Sequence, residues 1–255
     1  MARFVDFTVT KLMARDHRSV FWGDRMVTLD KSAGFLDEPR FRAAYDRIRG
    51  AHTYDQYVTP HSIAWRLHTL VWAAKQALSL PQGDFVECGV FQGDMAAVIC
   101  EATDIAAARR RYFAYDSFEG FHPELSSEAD FPTMPGYIAM ANAHYRKPGL
   151  YEGVVARFAD KPYVTVVKGF LPEAFDAVEP PQRIAFLHLD LNAPKPEIAC
   201  LEKLFDRVVP GGLILLDDYG WLGYRAQKDA EDAFFADRGY GVLELPTGQG
   251  MVVKR

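Results

Sequence analysis

Two apolar patterns alternate along this chain. Short unbroken runs occur at 85–88, 111–116, 164–168, 184–190 and 212–217, each closed by a glycine or an acid. Such runs predict strands buried on both faces, as in a parallel sheet. Between them, apolar residues recur at helical spacing. Ile63, Leu67, Leu70, Val71, Ala74 and Leu78 share one face, and Thr59 followed by Pro60 suits the N-cap and first turn of that helix. Further helices are expected from Gly93 to Ala107, from Pro196 through Phe205, and over 225–237. Pro210-Gly211-Gly212 reads as a turn into the 212–217 strand. Val242–Pro246 and Gly250–Lys254 read as a closing hairpin turned at Thr247-Gly248-Gln249.

This alternation predicts an α/β, Rossmann-like sheet, mostly parallel with a C-terminal antiparallel hairpin and helices on both faces. It runs over residues 59–255. Residues 1–58 carry scattered aromatics and charges, with a short helix near 41–49, and are expected to form a cap or the contact of a homo-oligomer. Residues 117–151 are rich in turns but also hold Phe121, Phe131, Met134 and Tyr137, too apolar for a solvated insertion. A long segment of that kind inside a compact domain is expected to be a lid.

Composition narrows the class. A hydrophobic share of 49% is globular, and a formal charge of −5 with no basic stripe argues against a nucleic-acid partner. Arg109-Arg110-Arg111 fits a solvated helix end. Cys88, Cys100 and Cys200 are odd in number and far apart, which disfavours a disulfide framework or a zinc site. The first residues lack a signal-peptide core, and no apolar stretch approaches the roughly 18 residues of a membrane span. A cytoplasmic protein acting on a small molecule, with no membrane partner, is the expectation.

The candidate chemistry lies where runs end. Asp190 closes one, and the pair Asp217-Asp218 closes another. Strand carboxyl ends are where open α/β sheets bind ligands, and three carboxylates gathered there call for a hard cation between them. Salt bridges to Lys168, Lys195 or Lys228 are the plainer alternative. Both members of an adjacent pair reach one ion only if the backbone leaves the strand at that point. Upstream, Glu87-Cys-Gly89-Val-Phe-Gln-Gly93 reads as strand, turn and helix start, with Gly89 for the sharp turn and Gly93 for ligand approach. Asp116, ending the next strand, stands where a ribose-binding carboxylate belongs. The glycine spacing is not that of a dinucleotide fingerprint. Glu87 disfavours a pyrophosphate but tolerates a cation such as S-adenosylmethionine. His188 shares a strand face with Asp190 and is either a satisfied core histidine or an aid to proton transfer. Thr59, His61 and Ser62 are placed to meet the cofactor's amino-acid end.

At these residues the chain resembles the macrocin O-methyltransferase family. The resemblance rests on Phe85–Gly93, Tyr115-Asp116-Ser117-Phe118-Glu119-Gly120, Leu189-Asp190 and Pro210–Gly220, in that order. It implies a class I methyltransferase using S-adenosylmethionine and Mg²⁺ on sugar hydroxyls of glycosylated natural products, as in antibiotic biosynthesis. It also implies cofactor contacts at Glu87, Gly89, Asp116 and Ser117, and metal ligation by Asp190, Asp217 and Asp218, with Asp190 doubling as general base. One departure stands out: Asn192 occupies the position of a second carboxylate in the family's Asp-Gly-Asp-Leu-Tyr pattern. The competing readings are an NAD(P)-dependent oxidoreductase and a non-catalytic Rossmann-like binding protein.

Overall fold

The computed structural model describes residues 20–23, 26–49 and 63–255. The chain divides into two compact units, Met1–Thr69 and Leu70–Arg255. In the first, β1 (Val20–Gly23) and β2 (Met26–Leu29) form an antiparallel hairpin, followed by α1 (Pro39–Arg49). Phe35 is the centre of its aromatic packing, stacked on His68 at 4.2 Å and edge-on to Trp65 and Phe41. Helix α2 (Ala64–Leu78) spans the division. The N-cap predicted at Thr59 lies outside the described residues.

The second unit is built on seven strands. In chain order they are β3 (Asp84–Cys88), β4 (Tyr112–Asp116), β5 (Val164–Lys168), β6 (Ile184–Leu189), β7 (Val208–Leu216), β8 (Leu243–Glu244) and β9 (Gly250–Val253). Their spatial order is β5-β4-β3-β6-β7-β9-β8, with β9 antiparallel to both its neighbours and the other pairs parallel. The order reverses between β3 and β6, which makes the crevice beyond their carboxyl ends the switch point. Helices α3 (Asp94–Ala102), α4 (Tyr137–Tyr145), α5 (Leu150–Arg157), α6 (Ala174–Ala177), α7 (Pro194–Leu204) and α8 (Arg225–Ala236) connect the strands. This is the Rossmann-like architecture that the alternation predicts.

Why these runs become strands is visible in their burial. Every residue of β6 is buried, so one face had to be as apolar as the other. On one side Val86, Cys88, Leu187, Leu189, Ile214 and Leu216 pack against Cys200, Leu201 and Leu204 of α7 and Phe234 and Phe235 of α8. Each such side chain contributes about 1.5–3 kcal/mol when taken from water. The alternate residues face the other way: Phe85 packs on Tyr112 and Phe186, and Phe186 stacks on His188.

Two expectations change. Pro210-Gly211-Gly212 is not a turn before a strand but an irregularity within β7. The pairing with β6 jumps from Ile184–Val208 to Phe186–Leu213, and Gly211 takes φ +83°. The extra residues are looped out as a bulge, which tolerates the proline. Residues 117–151 are not structureless either. They contain a short 3₁₀ turn at Glu128–Asp130, all of α4 and the start of α5. Phe121, Phe131 and Ala141 bury one another with Ala193 from the loop after β6, and Met134, Tyr137, Tyr145 and Tyr224 pack around them. The insertion is therefore docked over the carboxyl end of the sheet.

Candidate active site

Strand register places the site residues side by side. Cys88 is level with Tyr115 and Leu189, and Leu189 with Leu216. The next residue of three strands is then tied across: Gly89 N–H donates to Tyr115 C=O, Asp190 N–H to Cys88 C=O and Asp217 N–H to Leu189 C=O, at 2.8–2.9 Å. Gly89, Asp190 and Asp217 form a row along the sheet's edge. Strand β7 ends at Leu216, so Asp217 and Asp218 lie beyond the regular pleat, where its alternation no longer applies. One carboxylate oxygen from each of Asp190, Asp217 and Asp218 lies within 4.8 Å of the others. Of the lysines offered as alternative partners, Lys168 bonds Glu119 at 3.0 Å and Lys228 bonds Asp232 at 3.1 Å.

Gly89 has φ +93°, and a Cβ there would stand 1.9 Å from the Asp190 carbonyl oxygen. A side chain at 89 would push the turn off the strand that carries Asp190. Gly93 also has a packing reason. Its added Cβ would meet Phe158 at 2.9 Å and Val154 at 3.3 Å, so it makes room for the packing of α5 and the residue after it. Asp116 does more than end its strand: Oδ2 accepts from Val90 and Phe91 N–H at 2.6 and 2.8 Å, and Oδ1 from Phe118 N–H at 2.5 Å. The carboxylate braces the β3–α3 turn from inside. Ser117 donates to Gly120 C=O and accepts from Glu119 N–H, so its hydroxyl is used locally. Thr59, His61 and Ser62 lie outside the described residues.

Glu87 and His188 sit beneath this row. Both are completely or almost completely buried. Because they are cross-strand neighbours, His188 Nδ1 meets Glu87 Oε1 at 3.1 Å, and Nε2 lies 3.6 Å from Asp217 Oδ1. Tyr112 donates its hydroxyl to Glu87 at 3.0 Å. Burial pulls the imidazole pKa down, but the contacts with Asp217 and Glu87 outweigh it and raise it to about 10. His188 thus lies between two acids, Glu87 and Asp217, that favour its charged form. With no surface to offer a substrate, it is a link under the site and not a proton-transfer partner within it, and Glu87 likewise meets Tyr112 and His188 instead of a ligand. Burial raises the Glu87 carboxyl, while the His188 and Tyr112 bonds oppose that rise.

Four residues carried no signal in the sequence of their part in this site. Gln249, in the hairpin turn, donates to Asp217 Oδ1 at 2.9 Å and is itself fixed by Thr247 at 2.9 Å. Tyr137 and Tyr224 share a short hydroxyl–hydroxyl hydrogen bond. Burial raises the pKa of both, and the Asp218 charge adds to each rise. Two tyrosines 87 positions apart give no periodicity from which to read such a meeting.

A second pair of acids supports the loop after β6. Glu197, at the first turn of α7, accepts from Leu191 and Asn192 N–H at 2.9 and 3.2 Å. It is fully buried against Glu231 of α8, which Gln227 approaches at 3.4 Å. Burial, and for Glu231 also the Glu197 charge, raises both carboxyl pKa values. Folding therefore takes up a proton, and stability falls as pH climbs above the ordinary 4.5 through the raised folded values. Glu231→Gln supplies the donor without the proton. Its Tm is expected to fall less steeply than that of the native protein as pH rises above the ordinary 4.5, with the gap widest at the alkaline end. Parallel Tm curves would show that no proton is held there.

The comparisons with known proteins bear on this site. A family model described as macrocin-O-methyltransferase (TylF) matches residues 63–239, more than half of the chain. The chain belongs to the macrocin O-methyltransferase family. A curated relative from Streptomyces olivaceus, 8-demethyl-8-(2,3-dimethoxy-α-L-rhamnosyl)-tetracenomycin-C 4′-O-methyltransferase, is 32% identical over 144 residues, 54% of this chain and 53% of its own. The chain thus spans about half the length of that relative. The solved O-methyltransferase NovP has a TM-score of 0.61 at 21% identity, covering 88% of this chain and 99% of its own. CalS11, a calicheamicin methyltransferase, has 0.60 at 19%, covering 88% and 93%. These likenesses show the class I methyltransferase fold, and family membership speaks against the oxidoreductase reading. Among the described residues no helix is long and apolar enough to cross a membrane.

Proposed function

We propose that this protein is an S-adenosylmethionine-dependent, Mg²⁺-dependent O-methyltransferase acting on a sugar hydroxyl of a glycosylated natural product. The observation that carries the reading is the convergence of Asp190, Asp217 and Asp218 at the switch point, one residue beyond strands that also hold the Gly89 turn. Carboxylate oxygens from three side chains at this separation are a donor set for a hard divalent ion. The acidic surroundings of the turn, without a phosphate-binding lysine, suit a cationic cofactor free of phosphate.

Mg²⁺ at the trio supplies Lewis acidity that lowers the pKa of an alcohol, and S-adenosylmethionine supplies a methyl group activated by its sulfonium. The rest is the work of the chain. Asp190 is the half-exposed acid closest to the Gly89 turn, so it takes the hydroxyl proton as the oxygen attacks in line. Asp217 is held by Gln249 and His188 and serves to anchor. The docked insertion, packed on Phe121 and Phe131, excludes water, and the Tyr137–Tyr224 pair offers aromatic surface to a partly apolar aglycone. The S. olivaceus relative is named for a rhamnosyl-tetracenomycin, which supports a deoxysugar on an aromatic polyketide as the acceptor class. The homo-oligomeric state and the cytoplasmic setting belong to the same proposal.

The test is calorimetric uptake of S-adenosylmethionine, followed by methyl transfer to a panel of rhamnosylated polyketides with and without chelator. Turnover is expected to vanish with chelator and return on adding Mg²⁺. Full turnover in excess chelator would eliminate the metal part, and failure to take up the cofactor would eliminate the whole.

A further inference from the structure

Asn192 stands where the family pattern has an acid, and its surroundings in this chain are specific. It takes φ +59°, the left-handed region that asparagine enters more readily than most residues. Its backbone N–H and that of Leu191 are pinned by Glu197, so the residue cannot swing away. It is buried, with a relative exposure of 9%. Its Nδ2 donates to Asp190 Oδ1 at 3.0 Å. The opposite placement of the amide would set two oxygens against each other at that distance, so the donor is fixed on the Asp190 side. Oδ1 is then left sealed from water with no hydrogen-bond donor. A buried carbonyl oxygen without a partner is unfavourable and wants an explanation.

Asn192 is hydrogen-bonded to Asp190, one of the three acids that could hold an ion. Side-chain amide oxygens are ordinary ligands of hard divalent ions. We infer that the Asn192 side-chain oxygen is a fourth protein ligand of the ion held by Asp190, Asp217 and Asp218, neutral where the other three are anionic. This rests on the reading of the trio as a metal site. One consequence follows from a neutral fourth donor: the site holds its ion less tightly than a four-acid site does.

The test uses Mn²⁺ alone, titrated into the full chain and followed by its electron paramagnetic resonance and by the water-proton relaxivity of the bound ion. Asn192→Asp keeps an oxygen and adds a charge, and is expected to tighten binding about 10-fold or more. Asn192→Ala is expected to weaken it by about 10-fold and to admit about one further inner-sphere water, seen as higher relaxivity. Circular dichroism checks that each variant is folded. Asp218→Ala separates the two levels of inference. If the native chain binds Mn²⁺ and Asp218→Ala does not, the trio holds; unchanged affinity and relaxivity in Asn192→Ala then overturn the Asn192 assignment alone. That assignment also falls if Asn192→Ala changes only the acceptor KM, and equally if Asn192→Asp binds no tighter than the native chain. A native chain that takes up no Mn²⁺ overturns both.

Discussion

Asp190→Asn is expected to lower kcat by about 10²–10⁴-fold while leaving the dissociation constant for S-adenosylmethionine nearly unchanged. The substitution keeps the shape of the side chain, and the Asn192 Nδ2 hydrogen bond to Oδ1 has the same acceptor afterwards. The backbone tie from Asp190 N–H to Cys88 C=O does not involve the side chain. What disappears is one negative charge from a set of three oxygens within 4.8 Å, and with it the group assigned to receive the hydroxyl proton. Single-turnover kinetics with saturating cofactor, together with calorimetry, separate the two effects. A loss of cofactor affinity as large as the loss in rate would mean that Asp190 shapes the cofactor turn and is not the base.

His188→Ala is expected to destabilise the protein by about 3–5 kcal/mol, the cost of removing one partner from a buried ionic cluster. Glu87 and Asp217 would then be two buried acids facing the hole left by the imidazole, with Tyr112 and Gln249 as remaining donors. Urea unfolding measured at pH 7 gives the number. A companion cycle with Glu87→Gln is informative, because residues in one network are not additive. The double variant is expected to lose less than the sum of the singles. Strict additivity of the two single variants would reveal a neutral ring that merely fills space, since the cavity alone costs about 2–5 kcal/mol.

The strands were legible because their burial is two-sided. Ile184–Leu189 has no polar face to hide, and even His188 lies between acids of the neighbouring strands, Glu87 and Asp217, so the run reads through it. The acids at 190, 217 and 218 were legible for the complementary reason: a charge that ends a buried run marks where the chain meets solvent or an ion. What failed was pattern without period. In α4, Tyr137, Ile138, Ala139, Met140 and Ala141 are apolar in succession, with Ala141 buried and Met140 exposed, so no stripe announces a helix. Pro210-Gly211-Gly212 has the composition of a turn, and only the register with β6 shows it to be a bulge. Glu197 and Glu231 are acids in helices whose partner is another acid, a pairing that composition argues against. Thr247 and Gln249 read as parts of a hairpin turn. The Gln249 contact with Asp217 bridges 32 positions, and nothing in the residue types predicts it.

That last contact bears on how the protein comes into being. Chains emerge from the ribosome amino end first. By the time Asp190, Asp217 and Asp218 have all appeared, the glutamine that steers the middle one has still to be added, and so has strand β9, which closes over β7. A nascent chain thus carries all three carboxylates of the proposed metal site before it has the contact that orients Asp217. Competence arrives in a single late step, when the hairpin docks.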